Sequence, residues 1–450
     1  MEEPQTQNVK RRRVESEECR SLYLCTEQIA EDGLRYNVHA INLADLLSCS
    51  CKIHVQPPTV YRGDELVTTK VCDLCSSGAG QLPLLRDLAS IHDENLCYSP
   101  GCGVFGSQII FAGGLEPGER RRGPSRTASK KIYVFETDSS VDSNPSIKPL
   151  SESSRRIIPE EFIGNKTQPF MVEFNGDDGK KDLYALSGYP FPLCFPPTFE
   201  VLYGTSKEWV TLPDVPFFYR RCPYFSYAVV GTKILVSSLD TPVFCFDVAE
   251  KEPKRQHWRE LSFFNGMDFP FSGTALVLDL DDSDDEKLMF AYQETAEEYS
   301  LWNLAAYRVC MTEKSESVEL LGSNLIPPDQ LPLQFRNNVF WRYKLLDLGG
   351  GNVCLVVGSD NPPMDDDDGP PRDHPPRDDD TYGQRSAMHF LVIRFHYFFS
   401  RRNNTISVDI LASHILEYDF SCYTVMAEMV GCFLIGKPTL ESECHPWTRE

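Results

Sequence analysis

What most constrains this chain is a unit of short apolar runs that starts at residue 181 and returns further along the sequence. The run LYAL stops at the small pair Ser187-Gly188, and a Pro-rich turn leads to a second run, FEVLY, ending at Tyr203. A turn through Gly204, Thr205, Ser206 and Lys207 then leads to Trp209 and a third run closed by Leu212-Pro213. Runs this short, rich in β-branched and aromatic residues and separated by Gly, Pro and Ser, read as neighbouring antiparallel strands. Three such strands leave both faces of a sheet uncovered, so the unit needs others like itself.

Copies are present. YAVVGTKILVS, VFCFDV and Trp258 repeat the layout, with 50 residues from Leu183 to Lys233 and 49 from Trp209 to Trp258. Earlier, QIIFAGG ends at Gly113-Gly114 and is followed after an insertion by IYVFE around Tyr133. Later copies take in residues 274–280, 287–292 and 305–310, and then 341–348, 352–358, 389–397 and 405–411. The ends are incomplete in complementary ways. Residues 21–26 and 36–43 form strands without an opening one, whereas 422–430 and 432–436 form a pair with no third or fourth strand. In a circular array these partial sets complete one sheet and leave no open edge at the seam. The expected fold is therefore all-β: a single propeller, six blades of four antiparallel strands, closed by pairing of the N- and C-terminal segments. Residues 44–95 are less regular, with a short helix expected at 82–89, and leave room for a seventh blade.

The motifs IIFAGG at 109–114 and IYVFE at 132–136, with LYALSG, FEVLY, Trp209 and LPDVP, give this repeat a family likeness. The chain resembles the kelch-repeat β-propellers, in the divergent style of plant kelch-like and F-box/kelch-type proteins. The likeness covers residues 21–436 and makes Gly113, Gly114, Tyr133, Gly188, Tyr203, Trp209 and Trp258 the blade-defining structural positions. No F-box is recognisable ahead of the repeats, so a ubiquitin-ligase adaptor role carries over poorly with the resemblance.

Composition narrows the functional classes. Forty-four basic against 66 acidic residues give a formal charge of −22, a field that disfavours nucleic acid and anionic membranes. No apolar run reaches the roughly 18 residues of a membrane span, and the first 18 residues lack the apolar core of a secretory signal. The 16 cysteines then read as free thiols in a reducing compartment, cytoplasmic or nuclear. Residues 1–20 read as a disordered tail, and Lys10, Arg11, Arg12 and Arg13 within it are a candidate nuclear-import cluster, with a solvated charge run as the alternative. Residues 437–450 read as a second tail.

Two insertions fall between second and third strands and so share a face of the propeller. Residues 116–131 are basic, residues 360–385 acidic and Pro-rich, and both are expected to be mobile. Ser125 and Ser129 each follow an arginine by three residues (Arg122, Arg126), which makes them candidate phosphorylation sites. Cys72 and Cys75, with Cys49, Cys51 and His54 upstream, have part of a zinc spacing, but the second two-residue pair is missing, so no metal is expected. The acidic run 281–286 lacks a calcium loop's alternation and reads as a hairpin tip.

No nucleophile elbow, phosphate-cradling loop or paired-histidine motif occurs, so the reading is not an enzyme and has no cofactor. The expected function is a non-catalytic intracellular scaffold, a monomeric propeller that binds a protein partner of unspecified identity through a loop-lined face. The alternative is a small-molecule-binding or hydrolytic propeller that uses the central channel. Charged or histidine side chains converging at the channel favour the second, and an aromatic, Arg-rich loop face favours the first.

Overall fold

The computed structural model describes residues 20–30, 32–48, 85–118, 124–137, 147–149, 158–176, 179–188, 196–206, 208–216, 225–238, 240–250, 256–261, 269–271, 273–280, 283–293, 303–312, 316–326, 335, 343–359 and 385–436. They form a propeller of six four-stranded antiparallel blades.

Blade one contains β1 (Arg20–Ala30), β2 (Gly33–Asn42) and, after the short helix α1 (Leu43–Ser48), β3 (Arg86–His92). Blade two contains β4 (Gly101–Phe105), β5 (Gln108–Ala112), β6 (Leu115–Pro117), the long β7 (Pro124–Glu136) and β8 (Ile147–Pro149). The connector β9 (Glu161–Lys166) adds to β7 and leads into blade three, which is β10 (Phe170–Asn175), β11 (Lys181–Leu186), β12 (Phe199–Leu202) and β13 (Val210–Thr211). Blade four runs β14 (Phe225–Val230), β15 (Lys233–Ser238), β16 (Phe244–Asp247) and β17 (Arg259–Glu260), with β18 (Gly273–Thr274) parallel to β14. Blade five is β19 (Leu276–Leu280), β20 (Ser283–Gln293), β21 (Asn303–Met311) and β22 (Glu316–Gly322). Blade six is β23 (Tyr343–Gly349), β24 (Asn352–Ser359), β25 (Arg385–Ser400) and the first part of β26 (Thr405–Gly436).

The second part of β26 crosses into blade one and pairs with β1 along its length, from Arg20↔Gly436 to Ala30↔Thr424. The ring is thus closed by the two chain ends, as the complementary partial sets require. One detail differs from expectation. Residues 422–430 and 432–436 are one strand interrupted by a bulge between Cys25 and Thr26, because Val430 is an extra residue opposite β1. The stretch at 181–216 supplies strands two to four of its blade, and its opening strand is β10.

Two local expectations are corrected. The helix expected at 82–89 is replaced, within the described residues, by β3. Its backbone pairs with β2, and its mixed exposure is that of an outer edge strand. The basic insertion is sheet over residues 124–131, because β7 extends past the blade to bond both β6 and β9. Residues 1–19, 49–84, 360–384 and 437–450 lie outside the described residues. They include the import cluster Lys10, Arg11, Arg12 and Arg13, the thiols Cys49, Cys51, Cys72 and Cys75, His54, and nearly all of the acidic insertion.

The core consists of apolar layers between adjoining blades. Tyr133 lies in the layer between blades one and two, 5.8 Å from Tyr36 in an edge-on contact. Trp209 packs 4.9 Å from Phe162 between blades two and three. Trp258 packs with Phe199 and Phe246 between blades three and four, and its indole N–H donates to the Pro213 carbonyl at 2.8 Å. Tyr203 is half-buried against the same layer.

Gly113 and Gly114 turn the chain at the end of β5 with φ of 64° and 97°. The Gly114 N–H donates to the Lys166 carbonyl at 2.8 Å, and a Cβ on Gly113 would lie 2.5 Å from that oxygen. Gly188 is placed similarly one blade on, where a Cβ would lie 2.3 Å from the Gln168 carbonyl. Gly113→Ala combines a left-handed backbone with a backbone clash, so we expect a loss of about 2–3 kcal/mol of stability, read by chemical denaturation. A variant within about 0.5 kcal/mol of wild type would show that the blade contact yields easily.

Candidate functional site at the propeller axis

Strand β4 touches both β10 and β26, β19 touches β14 and β23, and β23 touches β26, so the first strand of each blade is the innermost one. Side chains on these strands meet near the axis. Lys344 of β23 is the informative one. Its ammonium is within electrostatic reach of Glu428 and Cys432 on β26 and of Cys102 on β4. Blade one stands between blades six and two, so these groups are gathered from the innermost strands of three successive blades. The side chain is half-buried, and desolvation lowers its pKa.

Glu428 is directly opposite Glu27 in the β1–β26 register. Glu27 is buried, and the Ser99 backbone N–H donates to its two carboxylate oxygens at 3.0 and 2.9 Å. Burial, then the facing Glu428 carboxylate, raise the Glu27 pKa to about 8 against the opposing Ser99 hydrogen bond. At neutral pH this makes Glu27 mainly a carboxylic acid, able to donate a proton to its neighbour.

The other face of blade one, toward blade six, carries a connected polar network. Asn37 donates to Thr26 at 3.2 Å, Gln28 to Thr424 at 2.6 Å, and the His39 Nδ1 lies 2.7 Å from Asp87. The His39 ring sits 6.2 Å from that of Phe390 on blade six. The blade built from both chain ends therefore has a polar interior, held together by partners distant in sequence.

The residues singled out in the sequence lie elsewhere. Gly113, Gly114, Tyr133, Gly188, Tyr203, Trp209 and Trp258 are packing and turn positions between blades. Ser125 is partly exposed, and its hydroxyl accepts from the Thr127 N–H at 3.0 Å. Ser129 is buried in β7 with its N–H bonded to the Gly114 carbonyl, so it is a poor kinase target unless β7 opens. Residues 283–286 belong to β20. Among the described residues, no three His, Cys, Asp or Glu side chains converge as a metal site would need.

Lys344, Glu428, Glu27 and Cys102 were not marked by any motif. The signal available was parity along the first and last strands, and the bulge at Val430 defeats parity. The absence of catalytic motifs therefore gave no ground for excluding chemistry, because groups gathered at an axis come from strands hundreds of residues apart.

No family model and no curated protein matches the chain. Solved structures similar to it include an α-L-arabinofuranosidase from Podospora anserina, at 9% identity and TM-score 0.33 over 61% of this chain and 85% of that one. A GH43 endo-arabinanase from Bacillus licheniformis is similar at 9% identity and TM-score 0.29, over 70% and 98%. The N-terminal domain of Nup159 is similar at 11% identity and TM-score 0.31, over 76% and 78%. Likeness at this level assigns no substrate, partner or residue. The expectation that the chain is not an enzyme is withdrawn, because structures named as an arabinofuranosidase and an endo-arabinanase stand beside the Nup159 domain among those similar to it.

Proposed function

We propose that the propeller binds a small polar ligand at its axis, with Lys344 and Glu428 as the charged contacts. The observation that carries this reading is the approach of Lys344 on blade six to Glu428 on blade one and Cys102 on blade two. Opposite charges presented from separate blades into a confined space can orient a ligand bearing both donors and acceptors. A second, hydrolytic reading is supported by the Glu27–Glu428 pair. A carboxyl whose pKa is raised, placed opposite a second carboxyl, is an arrangement that general acid–base cleavage uses. A scaffold for a protein partner has less support. Among the described residues, the large exposed apolar side chains Ile163, Val210, Leu320, Phe398 and Ile415 are spread over three blades and the connector β9. The kelch likeness enters the proposal only as the plan of the repeat, supported by Gly113-Gly114 and the blade tryptophans.

The test is a thermal-shift screen of the full chain against sugars, amino acids, nucleotides and carboxylic acids, repeated with Lys344→Met and Glu428→Gln. We expect at least one class to raise Tm and both variants to weaken its binding by tenfold or more, since each removes a hydrogen-bonded charge. Any hit is then offered as its nitrophenyl ester or glycoside, and release of nitrophenol that disappears in Glu428→Gln supports hydrolysis. Stabilisation that both variants retain would place the ligand elsewhere and overturn the axial site.

A further inference from the structure

We infer that Cys25 and Cys102 form a redox-responsive pair able to join blade one to blade two by a disulfide. Cys25 is on β1 directly opposite Gly431, the only β26 position near it without a side chain. Cys102 of β4 fills the space that a side chain there would occupy. A Cβ on Gly431 would lie 2.7 Å from the Cys102 sulfur and 2.9 Å from its Cβ. Side chains directly opposite on paired strands stand about 5 Å apart at Cβ, so Cys102 takes the place of the cross-strand neighbour of Cys25. Cys102 packs against the apolar layer that buries Cys25, so the two side chains share one space between the blades, which is the first requirement of a disulfide.

The two sulfurs differ in the way peroxide-sensing pairs differ. Cys102 is partly exposed, so a small oxidant can reach its sulfur. Cys25 is fully buried in the apolar layer between the blades and is positioned to resolve an oxidised partner. Hydrogen peroxide is the oxidant. The Cys102 sulfur attacks one peroxide oxygen and gives up its proton, an S–O bond forms, the O–O bond breaks, and the departing hydroxide takes up that proton as water. The Cys25 sulfur then attacks the Cys102 sulfur of the sulfenic acid, forming S–S and breaking S–O. A second water leaves with the Cys25 proton. Two thiols lose two electrons and one peroxide gains them.

Other thiols nearby are oriented differently. Cys432 and Cys354 lie in the layer between blades six and one, on the opposite face of β26 from Cys25. Blade one carries the closure of the ring, so the bond would fasten the closing blade to its neighbour. This inference is independent of any axial ligand.

The full chain is treated with a small excess of hydrogen peroxide, alkylated, and mapped by mass spectrometry without reduction. We expect a peptide linking Cys25 to Cys102 that dithiothreitol removes, and a Tm several degrees higher when oxidised than when reduced. Cys102→Ser should abolish both effects, and Cys25→Ala should leave Cys102 as a dimedone-reactive sulfenic acid. Because Cys25→Ala alters a buried site, Cys102→Ser is the deciding variant; its position is partly exposed. Linkage of Cys102 to Cys432 instead, or a reduced Cys25–Cys102 pair after Cys102 has reacted with peroxide, would overturn the inference.

Discussion

Replacing Glu27 by Gln is expected to remove a large pH dependence of stability that wild type shows between about pH 5 and 9. Burial, then the facing Glu428 carboxylate, push the Glu27 carboxyl from its ordinary 4.5 up to about 8 in the folded chain. A carboxyl whose folded pKa is raised binds more protons folded than unfolded across that interval. Its contribution is fully present below the unfolded value and is lost as pH climbs through 8. The loss amounts to roughly 4–5 kcal/mol, at 1.36 kcal/mol for each unit between the two values. Gln reproduces the protonated acid. Its carbonyl can accept from the Ser99 N–H and its amide can donate to Glu428, and neither ionises. Urea denaturation of wild type and Glu27→Gln at pH 5, 7 and 9 gives the difference directly. Lys344, whose lowered pKa acts in the opposite sense, contributes equally to both proteins and cancels. The variant should be close to wild type at pH 5 and several kcal/mol more stable relative to it at pH 9. Two curves that stay parallel over this range would mean that Glu27 is ionised or reached by water.

The ring could be read in the sequence because it is periodic. Apolar runs of strand length recur at near-constant spacing, and the incomplete sets at the two ends fit one another, which is a statement about backbone pairing. Trp209, Trp258 and Gly113-Gly114 were visible for the same reason, since bulk and turn chemistry belong to single residues and their neighbours. The axial groups are of another kind. Whether Glu27 meets Glu428 depends on the register of β1 against a strand almost four hundred residues away, and on one bulge within it. A reading of parity through Val430 turns Glu428 to the wrong face. The helix expected at 82–89 failed similarly, because an apolar spacing that suits a helix also suits a strand whose partner, β2, is present to take up its backbone hydrogen bonds. Composition misled at residues 124–131, where polar and basic residues form sheet because β6 and β9 supply partners on the two sides of β7.

Breaking the buried Lys166–Glu200 pair should destabilise the chain by about 3–5 kcal/mol for either single replacement, Lys166→Met or Glu200→Gln. Both side chains are fully buried and their charged atoms are 2.7 Å apart. Glu200, on β12, also accepts from the backbone N–H groups of Ile163 and Gly164 at 3.0 and 2.7 Å. Lys166 reaches the Pro197 carbonyl at 3.4 Å and lies 5.0 Å from the centre of the Phe162 ring. The pair thus fastens the connector β9 to the third strand of blade three, while the Lys166 carbonyl holds the Gly114 turn of blade two. The two replacements are not equivalent. Lys166→Met leaves a carboxylate that still has two amide donors, whereas Glu200→Gln takes away the negative charge that lies 2.7 Å from the ammonium. In Lys166→Met/Glu200→Gln no buried charge remains and the Gln carbonyl can keep one amide donor, so the double variant should be more stable than the sum of the singles requires, by about 2 kcal/mol or more. Chemical denaturation of the four proteins measures this coupling. Costs that add to within about 0.5 kcal/mol would mean that the pair is held apart by water and that the connector is fixed by its backbone bonds alone.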